Sequence, residues 1–198
     1  MSLMNGGAVV DGWLTTAIPR PTHYCDDRPD EDDISLIVLH CISLPPGVFG
    51  GEWIDLLFQG TLPATAHPYF EALHTQKLSA HLLIRRDGAV IQYVPFHKRA
   101  WHAGVSSHLG RVRCNDFSIG IELEGTETIP YEPVQYRMLA DALGALIRHY
   151  PRLSKSTITG HSDIAPGRKT DPGDSFDREY LHSLLSVSHT PPFSPSLH

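Results

Sequence analysis

Residues 34–40 read ISLIVLH, apolar at every position but Ser35 before ending on a histidine. A strand alternates its side chains between two faces, so a run like this has both faces covered and belongs in the interior of a sheet. Helices must do the covering, and the chain supplies them. Trp53, Leu56, Leu57 and Phe58 precede Gly60 at helical spacing. Behind Pro133, Leu139, Ala142, Leu143 and Leu146 mark a long amphipathic helix that Pro151 ends. The stretch SAHLLIRRDGAVIQYV, 79–94, places two apolar runs about Asp87-Gly88 and predicts a hairpin. FSIGIELEG (117–125) and STITG (156–160) read as further strands, and DREYLHSLL (177–185) as a closing helix. Strands and helices intermingle, which predicts an α/β fold with a mixed central sheet flanked by helices.

A chain of 198 residues suits one core, so 1–198 reads as a single domain. Residues 1–33, rich in Gly, Pro and Asp with little periodicity, read as an arm packed on that domain. The segment 187–198 carries Pro191, Pro192 and Pro195 with few anchoring residues and reads as a flexible tail. A formal net charge of -6 gives no basic footprint of the kind nucleic acid requires. No run approaches the roughly 18 apolar residues of a membrane span. Asp11 interrupts the short apolar run at the amino end, so no export signal is read. Cys25, Cys41 and Cys114 are odd in number and widely spaced, against a disulfide framework or a thiolate metal cluster. The expectation is a cytoplasmic protein that works as a monomer.

Chemistry concentrates in TGHSDIAPGRKTDPG, 159–173. His40 and His161 each close a predicted strand, and ligands of open α/β sheets bind at that edge. Asp171 follows His161 across a loop with Pro166 and Gly167, long enough to turn back. Two histidines and an aspartate leave one tetrahedral position open, the arrangement of a catalytic zinc. The other reading makes these histidines hydrogen-bonded core residues. Glu122 and Glu124 share one face of their strand, opposite Ile119, Ile121 and Leu123. Glu124 reads as part of a solvated outer face. Glu122, deeper in the strand, is the better carboxylate to take a proton from water. Lys169 reads either as the cation beside a forming oxyanion or as a surface lysine. Asp163 reads as a turn-former. His102, in RAWHAG, has three readings: a third imidazole ligand, a substrate donor, or a histidine packed beside Trp101. Cys41, next to His40 in a strand, points the other way and packs. No GxSxG elbow, Walker-type loop or HExxH helix is present, so metal-assisted hydrolysis is the remaining scheme.

VLHCISLPPGVFGG, SAHLLIRRDG, RAWHAGVSS, CNDFSIGIELEG and GHSDIAPGRKTDPG, in that order, resemble the type 2 N-acetylmuramoyl-L-alanine amidases, and within them the zinc enzymes acting on 1,6-anhydro-N-acetylmuramoyl-L-alanine. The resemblance runs from about Trp13 to about Leu185, nearly the whole chain. It implies that fold, zinc on His40, His161 and Asp171, and a catalytic pair of Glu122 and Lys169. It also implies a small muropeptide substrate met by Arg113 and Asn115, with Lys77 and His102 as further binding residues. Lys77 and Cys41 stand where the resemblance leads one to expect arginine and asparagine. A role in cell-wall recycling, with a consequent restraint on β-lactamase induction, is implied in the same way. The rival readings are an exported amidase acting on intact wall and a peptidoglycan-binding module without catalysis. Retention of Asp171 and Lys169 weighs against the second.

Overall fold

Seen in a computed structural model that describes residues 7–187, the run read as a buried strand forms Leu36–Ile42 near the centre of a six-stranded mixed sheet. It pairs in parallel with Ser118–Glu124 on one side and Ile158–Gly160 on the other. Ser118–Glu124 pairs in parallel with Leu82–Ile84, which turns back antiparallel into Val90–Gln92. The hairpin expected at Asp87-Gly88 is thus present, and Gly88 supplies the positive φ of its turn. Ile18–Pro19 adds a short parallel edge beside Val90–Gln92.

The two central strands divide their side chains by parity. Ile37, Leu39, Ile119, Ile121 and Leu123 join a core with Leu139, Leu143 and Leu146 of the Pro133–His149 helix and Leu181 and Leu185 of Arg178–Val187. Leu36 and Val38 face the other way, onto Ala103, Cys114, Phe117 and Ile164. A separate cluster seats Ile54, Leu57 and Phe58 of the Trp53–Phe58 helix on Leu83, Ile91 and Tyr93. Both long helices begin as their sequences suggest. Pro133 opens the first, where Gln135 Oε1 accepts from the Glu132 amide at 3.0 Å, and Asp177 Oδ1 caps the second at the Tyr180 amide at 2.8 Å.

Residues 7–33 do more than pack on the domain. Beside the edge strand, Cys25–Asp27 pairs with Lys98–Ala100, and Arg28 is buried, donating to the carbonyls of Phe96, Asn115, Asp116 and Ser118. The expected tail lies outside the described residues apart from Val187, the last residue of its helix. Cys25, Cys41 and Cys114 are free, and among the described residues no helix is long and apolar enough to cross a membrane.

Candidate active site

Parallel strands end at a common edge, and there the chain gathers its polar residues. His40 lies near the end of Leu36–Ile42, with Glu122 as its register partner on the neighbouring strand. Residues in register share a face, so the imidazole and the carboxylate project together. His161 follows directly on Ile158–Gly160 and opens the four-residue helix His161–Ile164. The loop beyond turns back as its length allows: the Ser162 amide donates to the Asp171 carbonyl at 2.9 Å, bringing that carboxylate beside both histidines.

Nδ1 of His40 and Nδ1 of His161 are 2.9 Å apart, and each is 3.1 Å from Oδ2 of Asp171. The outer nitrogen of His161, Nε2, faces the Ala103 carbonyl at 3.1 Å, which can only accept. The proton therefore sits on Nε2, and Nδ1 turns a lone pair inward. Burial holds His40 down to about 4, against the opposing pull of Asp171, so this imidazole is neutral at pH 7. Burial pushes the Asp171 carboxyl upward, but the His161 and His40 imidazoles beside it lower it by more and hold it well below the usual range. Two imidazole lone pairs and a carboxylate at these separations repel one another, and one divalent cation between them removes the conflict. The donor set fits a metal with three protein ligands.

These atoms open into a cavity of about 470 Å³, which Glu122 and Lys169 also line. Glu122 Oε2 is shielded from solvent and has no hydrogen-bond partner. Burial, then the charge of Asp171, raises the Glu122 carboxyl well above its ordinary value, with Lys169 opposing. A carboxylate so placed is a strong proton acceptor, and its buried oxygen has a need for a partner that the protein does not meet.

The family model for N-acetylmuramoyl-L-alanine amidase matches residues 30–174, which include every one of these groups. The chain belongs to the N-acetylmuramoyl-L-alanine amidase family. It is 57% identical over 178 residues to the 1,6-anhydro-N-acetylmuramyl-L-alanine amidase AmpD of Citrobacter freundii, covering 90% of this chain and 95% of that one. The crystal structure of a selenomethionine AmpD derivative superposes with a TM-score of 0.87 at 57% identity, over 89% of this chain and 98% of the other. More distant is the amidase AmiD from E. coli in complex with the substrate anhydro-N-acetylmuramic acid-L-Ala-D-γ-Glu-L-Lys, with 27% identity, a TM-score of 0.55, and coverage of 90% and 65%.

Within this amidase the remaining sequence candidates take different places. His102 lines the cavity, yet both its nitrogens are engaged: Nδ1 lies 2.9 Å from Nε2 of His40 and Nε2 lies 3.2 Å from Oγ of Ser118. It stands behind His40. Asn115 Oδ1 accepts from the amides of His102 at 3.1 Å and Ala103 at 2.8 Å, so this oxygen is turned into the protein. Arg113 is exposed, pairs with Asp116 at 3.1 Å and is absent from the cavity wall. Lys77 is exposed on the loop whose Tyr69, Leu73 and Gln76 form part of that wall. Glu124 overturns the solvated-face reading: it is 2% exposed, and Oε1 accepts from Arg85 at 3.2 Å and the Gly50 amide at 2.6 Å. The reason is that its strand is central, so both faces of its alternation are covered. Asp163 bonds the Gly160 amide at 2.8 Å, as a turn-former should, and Cys41 packs against the helix-bearing core.

Sequence reasoning missed Trp101 and Arg168 in the cavity wall, and the significance of Gly120. A Cβ on Gly120 would lie 2.4 Å from Cγ of His102, so the bare strand position is where that ring sits. A glycine inside an otherwise strand-like run was the available signal.

Proposed function

We propose that the chain is a zinc amidase hydrolysing the amide between the lactyl group of 1,6-anhydro-N-acetylmuramic acid and the L-alanine of its stem peptide, during recycling of cell-wall fragments in the cytoplasm. Likeness to AmpD over nearly its whole length supports the substrate. The observation that carries the mechanism is the convergence of His40, His161 and Asp171 beside the unpartnered Oε2 of Glu122. Zinc on those three residues would acidify water and polarise the scissile carbonyl. Glu122 takes the proton of the attacking water and returns it to the departing alanine nitrogen, so no covalent enzyme intermediate is needed. Lys169 lends its ammonium to the oxyanion that forms on attack. A cavity of about 470 Å³ is of the size that holds a small muropeptide. Arg113 and Lys77, both exposed cations, are assigned to the carboxylates of the stem peptide.

The test is mass spectrometry of the products from zinc-loaded protein given anhydro-muramoyl tripeptide and, separately, intact wall. The expected result is release of tripeptide from the anhydro fragment, abolished by a chelator and restored by zinc. Preferential cleavage of intact wall would overturn the recycling assignment. Turnover that survives complete metal removal would overturn the zinc assignment.

A further inference from the structure

We propose that Asn115 is a positioning residue that orients both histidine ligands at once, through the two-residue segment His102-Ala103. The inference rests on the metal site proposed above. Each ligand imidazole must keep its proton on Nε2 for Nδ1 to offer a lone pair, and a partner at Nε2 is what holds it there. For His161 that partner is the Ala103 carbonyl at 3.1 Å; for His40 it is Nδ1 of His102 at 2.9 Å. Consecutive residues of one segment thus serve both ligands.

That segment lies between Lys98–Ala100 and Ser107–His108, and no sheet ladder holds its two residues. Asn115 Oδ1 supplies the missing anchor by accepting from the amides of His102 and Ala103 together. Asn115 is fixed in turn on the Cys114–Asp116 turn, whose Asn115 carbonyl accepts from the buried Arg28 at 3.1 Å. The His102 ring is seated over Gly120, and with Ser118 Oγ accepting from its Nε2, its Nδ1 is left to accept the proton of His40. From the other side Arg168 donates to the Ala103 carbonyl at 2.6 Å, steadying the group that His161 uses. One amide side chain therefore sets the register of a bracket whose two arms end on the two histidines.

Zinc affinity of the full chain, measured by competition with a chromophoric chelator, and the visible spectrum of the cobalt(II)-loaded protein test this. Asn115→Leu removes the acceptor at similar volume and should weaken zinc binding at least about tenfold, with an altered cobalt spectrum. Asn115→Asp keeps an oxygen in place and should hold zinc within about threefold of the parent. Should Asn115→Leu fail to fold, Ser118→Ala, which takes away only the outer partner of His102, is expected to weaken zinc several-fold. Unchanged zinc affinity in a folded Asn115→Leu or Ser118→Ala protein overturns the proposal, and a raised KM in that Asn115→Leu protein would return Asn115 to substrate binding. A parent chain that does not bind zinc one-to-one would instead overturn the metal site itself.

Discussion

Glu122 and Glu124 are two residues apart on one strand face and have opposite fates. Glu124 has each oxygen satisfied, Oε1 by Arg85 and Gly50 and Oε2 by the Arg86 amide at 3.1 Å. Glu122 is left with Oε2 unpaired in the cavity. Nothing in GIELEG separates them except depth along the strand, and that reasoning misplaced Glu124. The distinction lives in partners far away in sequence, at Gly50, Arg85 and Arg86. Glu122→Gln keeps the shape and removes the base. Turnover should fall by about 10²-fold or more with zinc still bound one-to-one, checked by steady-state kinetics and metal analysis on the same sample. Near-normal turnover would remove Glu122 from its role.

At the scale of elements, Glu124 belongs to a buried ionic cluster that holds the cavity wall to the sheet. Arg85 bridges it to Asp55 at 2.8 Å on the Trp53–Phe58 helix, and Asp55 also accepts from Arg20 and the Tyr93 hydroxyl. Through the Gly50 amide the cluster reaches the loop that leads on from Ser43 and Leu44, both in the cavity wall. Arginine suits this bridge because its planar fork can serve two carboxylates at once. Removing Glu124 leaves a buried guanidinium with one partner fewer. Glu124→Ala should therefore cost about 3 kcal/mol of stability, read from the urea midpoint at unchanged slope, and should raise KM as the wall loosens. A loss within about 0.5 kcal/mol would mean the cluster contributes little to holding that wall.

For the molecule as a whole, acid sensitivity follows from a histidine that no sequence pattern marked. His81 is fully buried: its Nδ1 accepts from the Gly120 amide at 3.0 Å, and its Nε2 lies 3.0 Å from the Lys98 carbonyl. The proton of the neutral ring is thereby placed on Nε2. Burial, and then the positive charge of Arg28, hold this imidazole well below its ordinary value. The unfolded chain, titrating near 6.5, therefore binds the proton first, so the contribution of His81 is complete above that pH and is lost as pH falls below it. In metal-free protein the urea-derived stability should drop between about pH 6.5 and 5 with a slope approaching about 1.4 kcal/mol per pH unit from this group. His81→Gln should flatten that slope, and an unaltered slope would assign the acid sensitivity to other groups.

Periodicity and local chemistry were enough to read the mixed α/β sheet, the two long helices, the hairpin, and the placing of His40 and His161 at the ends of their strands. Those features depend on alternation, turn residues and caps, which act over a few neighbouring positions. Arg28 in the arm, the seat of His102 on Gly120, the inward turn of Asn115 and the burial of Glu124 depended instead on contacts between segments 12 to 90 residues apart. A side chain's polarity says that it needs a partner. Only the tertiary structure decides whether that partner is water, backbone, a neighbouring charge or the substrate.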